Sequence, residues 1–267
     1  HPYSQTTIGK MEHLDAATLE EFMAFNKKYY IPNNATLTVA GDIKIPQAKK
    51  WIKDYFGTIP RGPEIQRIFP KELPITETIK AKAFDPNIQI PAIFLAYRTP
   101  GRNSRDARVL DVISTYLSQG KSSKLYKKLV DEQKMSLEIA AFNMNNEDYS
   151  TYVILSLPMG ETKLENLITE IDKELVKIQK ELISEKDYQK LQNQFESDFV
   201  NSNSTIEGIA NSLAEYYTFY DKDTNLINKE LELYKSITRE EIRKVAQSYL
   251  NPNQRLELHY LPKPQKE

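Results

Sequence analysis

The sequence predicts an α+β fold in which an antiparallel sheet is flanked by helices. The first observation is that stretches with strand character come in pairs joined by turn residues such as Asp85-Pro86-Asn87. One pair covers about 75–84 and 88–98, and the other covers about 137–145 and 150–157. The second observation is that most of the remaining chain has helical spacing. Separate runs of strands and helices are typical of α+β domains, so we expect antiparallel pairing.

Helical periodicity is clearest in the second half of the chain. From Leu164 to Leu182 the apolar residues recur in steps of one, three and four, which is the pattern of an amphipathic helix. Thr238-Arg239-Glu240-Glu241 has the spacing of a capping box and begins a helix that runs to Leu250. Arg255–Leu261 alternates and is predicted to be the last strand. Further helices are predicted over about 104–118 and 122–132, from Ser184 onward, and over 206–219.

The first block of the chain has the pattern of an incomplete domain. We expect Asp15 to cap a helix over about 16–29, residues 37–40 to form a strand, and a second helix to span about 46–56. A single strand leaves its backbone groups unpaired. The sequence therefore predicts the back half of a domain that begins upstream, with an open sheet edge and an exposed core that favour association.

Proline and glycine mark the boundary between two blocks. A cluster of these residues lies between Gly57 and Pro74, which is typical of a semi-rigid linker. We therefore predict an incomplete α+β domain over residues 1–60, a linker over 61–74 and a complete second α+β domain over 75–267.

Composition excludes several classes of protein. The chain has 267 residues with 36 basic and 37 acidic side chains, so it lacks the basic excess of a nucleic-acid-binding protein. No apolar run approaches the roughly 20 residues that cross a membrane. The chain has no cysteine, which excludes disulfides and is consistent with a bacterial periplasmic or cell-envelope location. Because the first residue is His1 rather than Met, we expect the native start to lie upstream.

The sequence contains no complete catalytic or metal-binding motif. The histidines are His1, His13 and His259, and no pair has the spacing of zinc ligands on a helix. No Gly-x-Ser-x-Gly elbow is present. Gly120-Lys121-Ser122 resembles the end of a phosphate-binding loop, but Thr115 occupies a position that requires glycine. We therefore predict no catalytic residue, metal ligand or bound cofactor in this chain.

Several segments, taken in order, resemble the insulinase/pitrilysin/processing-peptidase family of zinc metallopeptidases. Phe25–Asp42 is similar to that family's helix, Tyr-x-Pro-x-Asn turn, strand and Gly-Asp. Leu117–Gln133 is similar to its G-x-S-S-R-L-Y-x-x-L segment, with Lys124 in place of Arg. Further similar segments are His1–Asp15, Ser184–Leu191 and Ile237–Pro252. The family's zinc motif, H-x-x-E-H, is absent from the sequence.

The resemblance implies that the zinc ligands and a glutamate general base belong to a part of the protein upstream of His1. The fold would be repeated α+β domains forming half of a clamshell that encloses peptide or unfolded protein substrates. We expect the parent protein to be a zinc-dependent metallo-endopeptidase, in which zinc activates the attacking water, and this chain alone to be inactive. The alternatives are a zinc-free partner or scaffold subunit, and an unrelated α+β binding module.

The resemblance also concerns substrate binding. The family's zinc-free half often has an Arg and a Tyr that help to bind substrate, but the matching positions here are Val130 and Leu137, which cannot donate hydrogen bonds. A second half or subunit would have to provide that pair. A further set of residues matches the position of a glycine-rich substrate loop in the regulatory subunit of the mitochondrial processing peptidase. This set is either a substrate loop or a turn between two helices, and it consists of Gly120, Lys121, Ser122 and Ser123.

Overall fold

The structure of the protein, a computed structural model, describes residues 1–264. Its contacts divide the described chain into two compact units. The first comprises His1–Leu73 with Val200–Ile227, and the second comprises Pro74–Phe199 with the described residues from Asn228 onward. The sequence-based domain boundaries stay a prediction.

Helices make up much of the described chain, and several begin at a side chain that caps the first turn. Ser104, Thr205 and Thr238 each accept a hydrogen bond from a backbone N–H of the helix that follows. None of these helices is long and apolar enough to cross a membrane. In chain order they are α1 (Met11–Ala16), α2 (Leu19–Tyr29), α3 (Ile45–Phe56), α4 (Arg105–Ser118), α5 (Leu164–Lys180), α6 (Glu185–Ser202), α7 (Ile206–Phe219), α8 (Glu230–Lys235) and α9 (Arg239–Tyr249).

The second unit is built on a five-stranded sheet. Its strands are β1 (Ile79–Asp85), β2 (Ala92–Pro100), β3 (Ser136–Met144), β4 (Tyr149–Pro158) and β5 (Leu256–Pro262). Their order across the sheet is β1-β5-β2-β4-β3. Neighbouring strands are antiparallel except β1 and β5, which are parallel. The predicted α+β class is confirmed, with one parallel pair that arises because β5 is inserted between β1 and β2.

The core of the second unit lies between this sheet and helices that include α4, α5 and α9. β2 buries Ile93, Leu95 and Tyr97 completely, because alternate residues of a strand point to the same side of the sheet. The apolar stripe predicted from Leu164 onward is confirmed as the buried face of α5. The helices contribute further fully buried side chains to the same core: Leu110, Ile113, Leu117, Leu167, Ile171 and Ile242.

The first unit leaves many large apolar side chains exposed to solvent. α3 has no buried residue, and its Trp51 and Tyr55 are exposed. Residues 37–40 make no regular backbone pairing with another strand, so the strand predicted there is not formed in the described chain. The cap predicted at Asp15 is wrong, because α2 begins after Thr18, whose hydroxyl accepts from the backbone N–H of Glu21 in a capping box.

Candidate functional site

The Gly120–Ser123 segment forms a closed turn after α4. Gly120 has a φ of 74°, which favours glycine. The backbone N–H of Ser123 donates to the carbonyl oxygen of Gly120 at 3.1 Å, and the Ser123 hydroxyl donates to the same oxygen at 2.7 Å. Ser123 is buried, whereas Gly120, Lys121 and Ser122 are exposed. The structure brings the four residues together, and a substrate role for them stays a prediction.

Side chains of α6 hold the turn and the residue that follows it. The Lys190 Nζ donates to the Ser122 hydroxyl at 2.6 Å, and the Lys124 Nζ lies 2.8 Å from the Asp187 carboxylate. Partial burial by itself raises the pKa of Asp187. The hydrogen bonds from Lys124 and Ser184 and the charges of Lys124 and Lys190 outweigh burial and lower that pKa overall. Lys124, which stands where the resemblance has Arg, thus positions the turn through an ion pair.

A π-helical segment, Tyr126–Glu132, begins three residues after the turn. The N–H of Gln133 donates to the carbonyl oxygen of Lys128, five residues earlier, at 3.0 Å, which is the hydrogen-bond spacing of a π-helix. π-helices are rare and often lie at functional sites. The Gln133 amide then donates to Glu170 of α5 at 2.9 Å. Between this segment and α5 lies an open groove of about 700 Å³, lined mostly by charged side chains.

The two positions that correspond to the substrate-binding Arg and Tyr lie on either side of this segment's end. Val130 packs against the hydrophobic core, and Leu137 is an exposed residue of β3. The described chain therefore presents apolar groups at both positions, and it offers no cation or phenol there for a peptide carbonyl.

The three histidines lie in separate elements. The Nδ1 of His1 accepts a hydrogen bond from the backbone N–H of Tyr3, His13 lies in α1, and His259 lies in β5 opposite Ile93. Within residues 1–264, no group of three or more His, Cys, Asp or Glu side chains is arranged to hold a metal ion. The described residues therefore do not fit a zinc site.

Sequence reasoning missed a buried charge cluster around Arg255, the residue immediately before β5. Arg255 is 2% exposed and donates to both oxygens of Asp172 in α5, to Glu257 at 2.7 Å and to the Tyr97 hydroxyl at 2.9 Å. Burial raises the pKa of Tyr97 well above its usual range. The sequence does contain one signal for this cluster. In Arg255-Leu256-Glu257 the two opposite charges are two residues apart, so in an extended chain they lie on the same face.

A second buried polar cluster surrounds Asp111 of α4. The Asn145 amide and the Tyr234 hydroxyl donate to its two carboxylate oxygens, both at 3.1 Å. Burial raises the pKa of Asp111 to about 6, although these hydrogen bonds and the charge of Arg108 oppose the shift. The cluster joins α4, α8 and the turn between β3 and β4.

The mixed five-stranded sheet and the helices that cover it define an α+β domain. The sequence profile described as the Peptidase M16 inactive domain matches residues 16–195. The chain belongs to that family. The resemblance to the insulinase/pitrilysin/processing-peptidase group is therefore confirmed, as its non-catalytic portion.

Curated relatives are named as zinc proteases. The chain is 28% identical to the zinc protease PqqE of Helicobacter pylori over 218 residues, covering 81% of this chain and 49% of that protein. It is 20% identical to an uncharacterized zinc protease of Rickettsia felis over 223 residues, covering 83% of this chain and 52% of that protein. The chain thus spans about half the length of the curated relatives it matches.

Solved structures show the same fold. A protease from Helicobacter pylori superposes with a TM-score of 0.89 at 25% identity, covering 99% of this chain and 63% of that chain. A peptidase M16 inactive domain from Pseudomonas fluorescens superposes with a TM-score of 0.84 at 14% identity, covering 100% of this chain and 63% of that one. The second likeness concerns the fold alone.

Proposed function

We propose that this chain is the non-catalytic part of a zinc-dependent metallo-endopeptidase that hydrolyses peptides or unfolded proteins inside a closed chamber. The observation that supports the proposal best is the match of 81% of the chain to 49% of a zinc protease, within a family described as an inactive domain. Zinc and its ligands would lie in the part of the protein outside this chain, because the described residues offer no suitable donor cluster.

In this proposal the second unit serves as a wall of the chamber. In its sheet, β2 and β4 each lie between two neighbouring strands, and α4, α5 and α9 contribute side chains to the core against the sheet. Any cationic or phenolic group that orients the substrate must come from another half or subunit, since Val130 and Leu137 cannot provide it. The lack of cysteine also leads us to propose a periplasmic or envelope location, which cell fractionation would test.

The test compares the full-length protein with the 267-residue chain. We expect the full-length protein to contain bound zinc by elemental analysis and to cleave labelled casein in a chelator-sensitive way, and we expect the 267-residue chain to do neither. Zinc-dependent cleavage by the chain alone would contradict the proposal. A full-length protein without zinc or activity would support a zinc-free partner or scaffold instead.

The same assay tests the Gly120–Ser123 turn. Lys121 is exposed at its tip, so Lys121→Ala removes a charge without disturbing the core. A raised KM with an unchanged kcat would indicate a substrate loop. Unchanged values of both constants would indicate a turn between two helices.

A further inference from the structure

Lysine is concentrated in one part of the second unit. Four of the eight residues from 121 to 128 are lysines, and none of the eight is acidic. Two more lysines, Lys186 and Lys190, lie one helical turn apart on α6, which contacts the Gly120–Ser123 turn. The whole chain has 36 basic and 37 acidic side chains, so this excess of positive charge is local.

Contacts between the turn and α6 bring the two groups of lysines together. The Lys190 Nζ donates to the Ser122 hydroxyl at 2.6 Å, and the Lys124 Nζ lies 2.8 Å from the carboxylate of Asp187 in α6. Lys124 and Lys127 are three residues apart on a helical backbone, so their side chains leave it on the same side. The surface that results, the lysine patch, consists of Lys121, Lys124, Lys127, Lys186 and Lys190.

Most of the positive charge of the lysine patch is not compensated by residues 1–264. Lys124 is paired with Asp187. Burial raises the pKa of Asp187, but hydrogen bonds from Lys124 and Ser184 and the charges of Lys124 and Lys190 lower that pKa overall, as a positive surface does. The other lysines of the patch are exposed and form no ion pair with a carboxylate of the described chain: Lys121, Lys127, Lys186 and Lys190.

The lysine patch continues into an open groove along α6. The groove has a volume of about 520 Å³ and is lined by Lys186, Gln189, Lys190, Asn193, Gln194 and Ser197. These positions recur every three or four residues, so they follow one face of the helix. Beyond the two lysines the lining consists of amide and hydroxyl groups, which can hydrogen-bond to a polypeptide backbone. The groove is therefore cationic at one end and polar but uncharged along the rest of its length.

We propose that the lysine patch and the α6 groove bind an acidic segment of a substrate polypeptide. Its aspartate and glutamate side chains contact the lysines, and its backbone hydrogen-bonds to the amide side chains of the groove. Charge complementarity selects this ligand, because exposed lysines attract carboxylates and repel basic segments. The inference rests on the proposed function, since it takes the bound polypeptide to be a substrate. It assigns a preference for acidic stretches to this chain rather than to the zinc site.

Two other anionic partners fit this surface less well. Single-stranded nucleic acids bind largely by stacking their bases on aromatic side chains, and the lining of the groove contains no aromatic residue. Surfaces that bind anionic lipids combine basic residues with apolar side chains that enter the membrane, whereas the lining of the groove is polar throughout. An acidic polypeptide is therefore the partner whose chemistry matches both the lysines and the amides.

Fluorescence anisotropy with the full-length protein tests the charge preference. The probes are a short fluorescein-labelled peptide of alternating glutamate and glycine, and the same peptide with glutamine in place of glutamate. A chelator is present so that neither probe is cleaved. We expect the glutamate peptide to bind at least about tenfold more tightly at low salt, because several weak exposed ion pairs act together. Raising the salt from about 0.05 M to about 0.5 M should remove the difference. Equal affinity for both probes at low salt would overturn the proposal.

Charge reversal locates the binding surface. The patch variant combines Lys121→Glu, Lys127→Glu and Lys186→Glu, and it leaves Lys124 and Lys190 in their contacts with the turn and α6. It should lose the glutamate peptide and bind a lysine–glycine peptide instead. The control variant makes the same change of net charge at exposed lysines on other elements of the second unit: Lys82, Lys163 and Lys244. The control should keep the wild-type affinity within about twofold. An equal loss in both variants would overturn the proposal.

The cleavage assay tests whether the bound polypeptide is a substrate. A fluorogenic peptide with a glutamate-rich extension should have a KM at least about tenfold below that of its glutamine-rich counterpart. The patch variant should remove this difference, and the control variant should keep it. The same KM for both peptides with the wild-type protein would contradict a role in substrate binding.

Other anions and the proposed function are distinguished by their own outcomes. Co-sedimentation with phosphatidylserine vesicles that is lost only in the patch variant, without a preference for the glutamate peptide, would overturn the proposal in favour of a lipid surface. Tighter binding of a single-stranded oligothymidine than of the glutamate peptide would overturn it in favour of a nucleic acid. A full-length protein without zinc or proteolysis would overturn the proposed function and leave the anisotropy result intact. A zinc-dependent protease that binds both probes equally would overturn this inference alone.

Discussion

Replacing Arg255 with methionine should destabilise the second unit by about 3 kcal/mol. Arg255 is 2% exposed, and its guanidinium compensates two carboxylates, those of Asp172 and Glu257. Removal of one partner from a buried ion pair costs roughly 3–5 kcal/mol, because the remaining charge is left without compensation. The side chain of Glu257 is 9% exposed, which favours the full cost, but that of Asp172 is 26% exposed, so water would partly replace its partner. The lower end of the range is therefore expected.

Urea denaturation followed by far-UV circular dichroism measures this loss. Fluorescence is less suitable, because the only tryptophan, Trp51, lies in α3 of the first unit. Lys80→Met is the matched control. Lys80 also contacts Glu257, at 3.8 Å, but its side chain is 79% exposed, so its loss should change the free energy of unfolding by less than about 0.5 kcal/mol. A loss below about 1 kcal/mol for Arg255→Met would refute the reasoning.

Three further predictions concern stability. Burial raises the pKa of Asp111 from 3.8 to about 6. Between these two pH values the folded state keeps a proton on Asp111 that the unfolded chain releases. The free energy of unfolding therefore falls as the pH rises from about 4 to about 6. Asp111→Asn should abolish that fall, which urea midpoints at pH 4 and pH 7 would reveal. Thr238→Ala should cost about 1 kcal/mol by removing the cap of α9, and Thr238→Ser should restore most of it in the same denaturation assay. Gly120→Ala should cost about 1 kcal/mol through its positive φ alone, since no atom lies within 4 Å of the added Cβ; a thermal melt unchanged from the wild type would contradict this.

Local sequence signals predicted the second unit well. The capping box at Thr238, the apolar steps of α5 and the β3–β4 hairpin are encoded within short stretches, and the structure confirms each of them. The same rule applied to Thr18 would have located the start of α2, because Thr18-Leu19-Glu20-Glu21 has the same spacing. The error at Asp15 was therefore one of choosing between two polar residues that lie three positions apart.

The features that could not be predicted depend on distant parts of the chain. The insertion of β5 between β1 and β2 has no local signature, because a strand's apolar alternation does not specify its neighbours. The pairing of Arg255 with Asp172 likewise depends on the packing of α5 against the sheet. The Gly120–Ser123 turn stays a prediction of either a substrate loop or a turn between helices, because a turn's position alone does not distinguish substrate contact from a connection between helices.

The position of β5 between β1 and β2 also affects how the second unit can fold during synthesis. β1 leaves the ribosome long before β5, yet β5 is the only strand that joins β1 to the rest of the sheet in the described chain. Until residues 256–262 are available, β1 has no neighbour and β2 has an open edge. Pairing between strands that are far apart in the sequence slows folding, so unpaired strand edges that favour aggregation stay exposed for longer. Nascent chains stalled before Leu256 should therefore depend strongly on chaperones, whereas chains released beyond Pro262 should close rapidly.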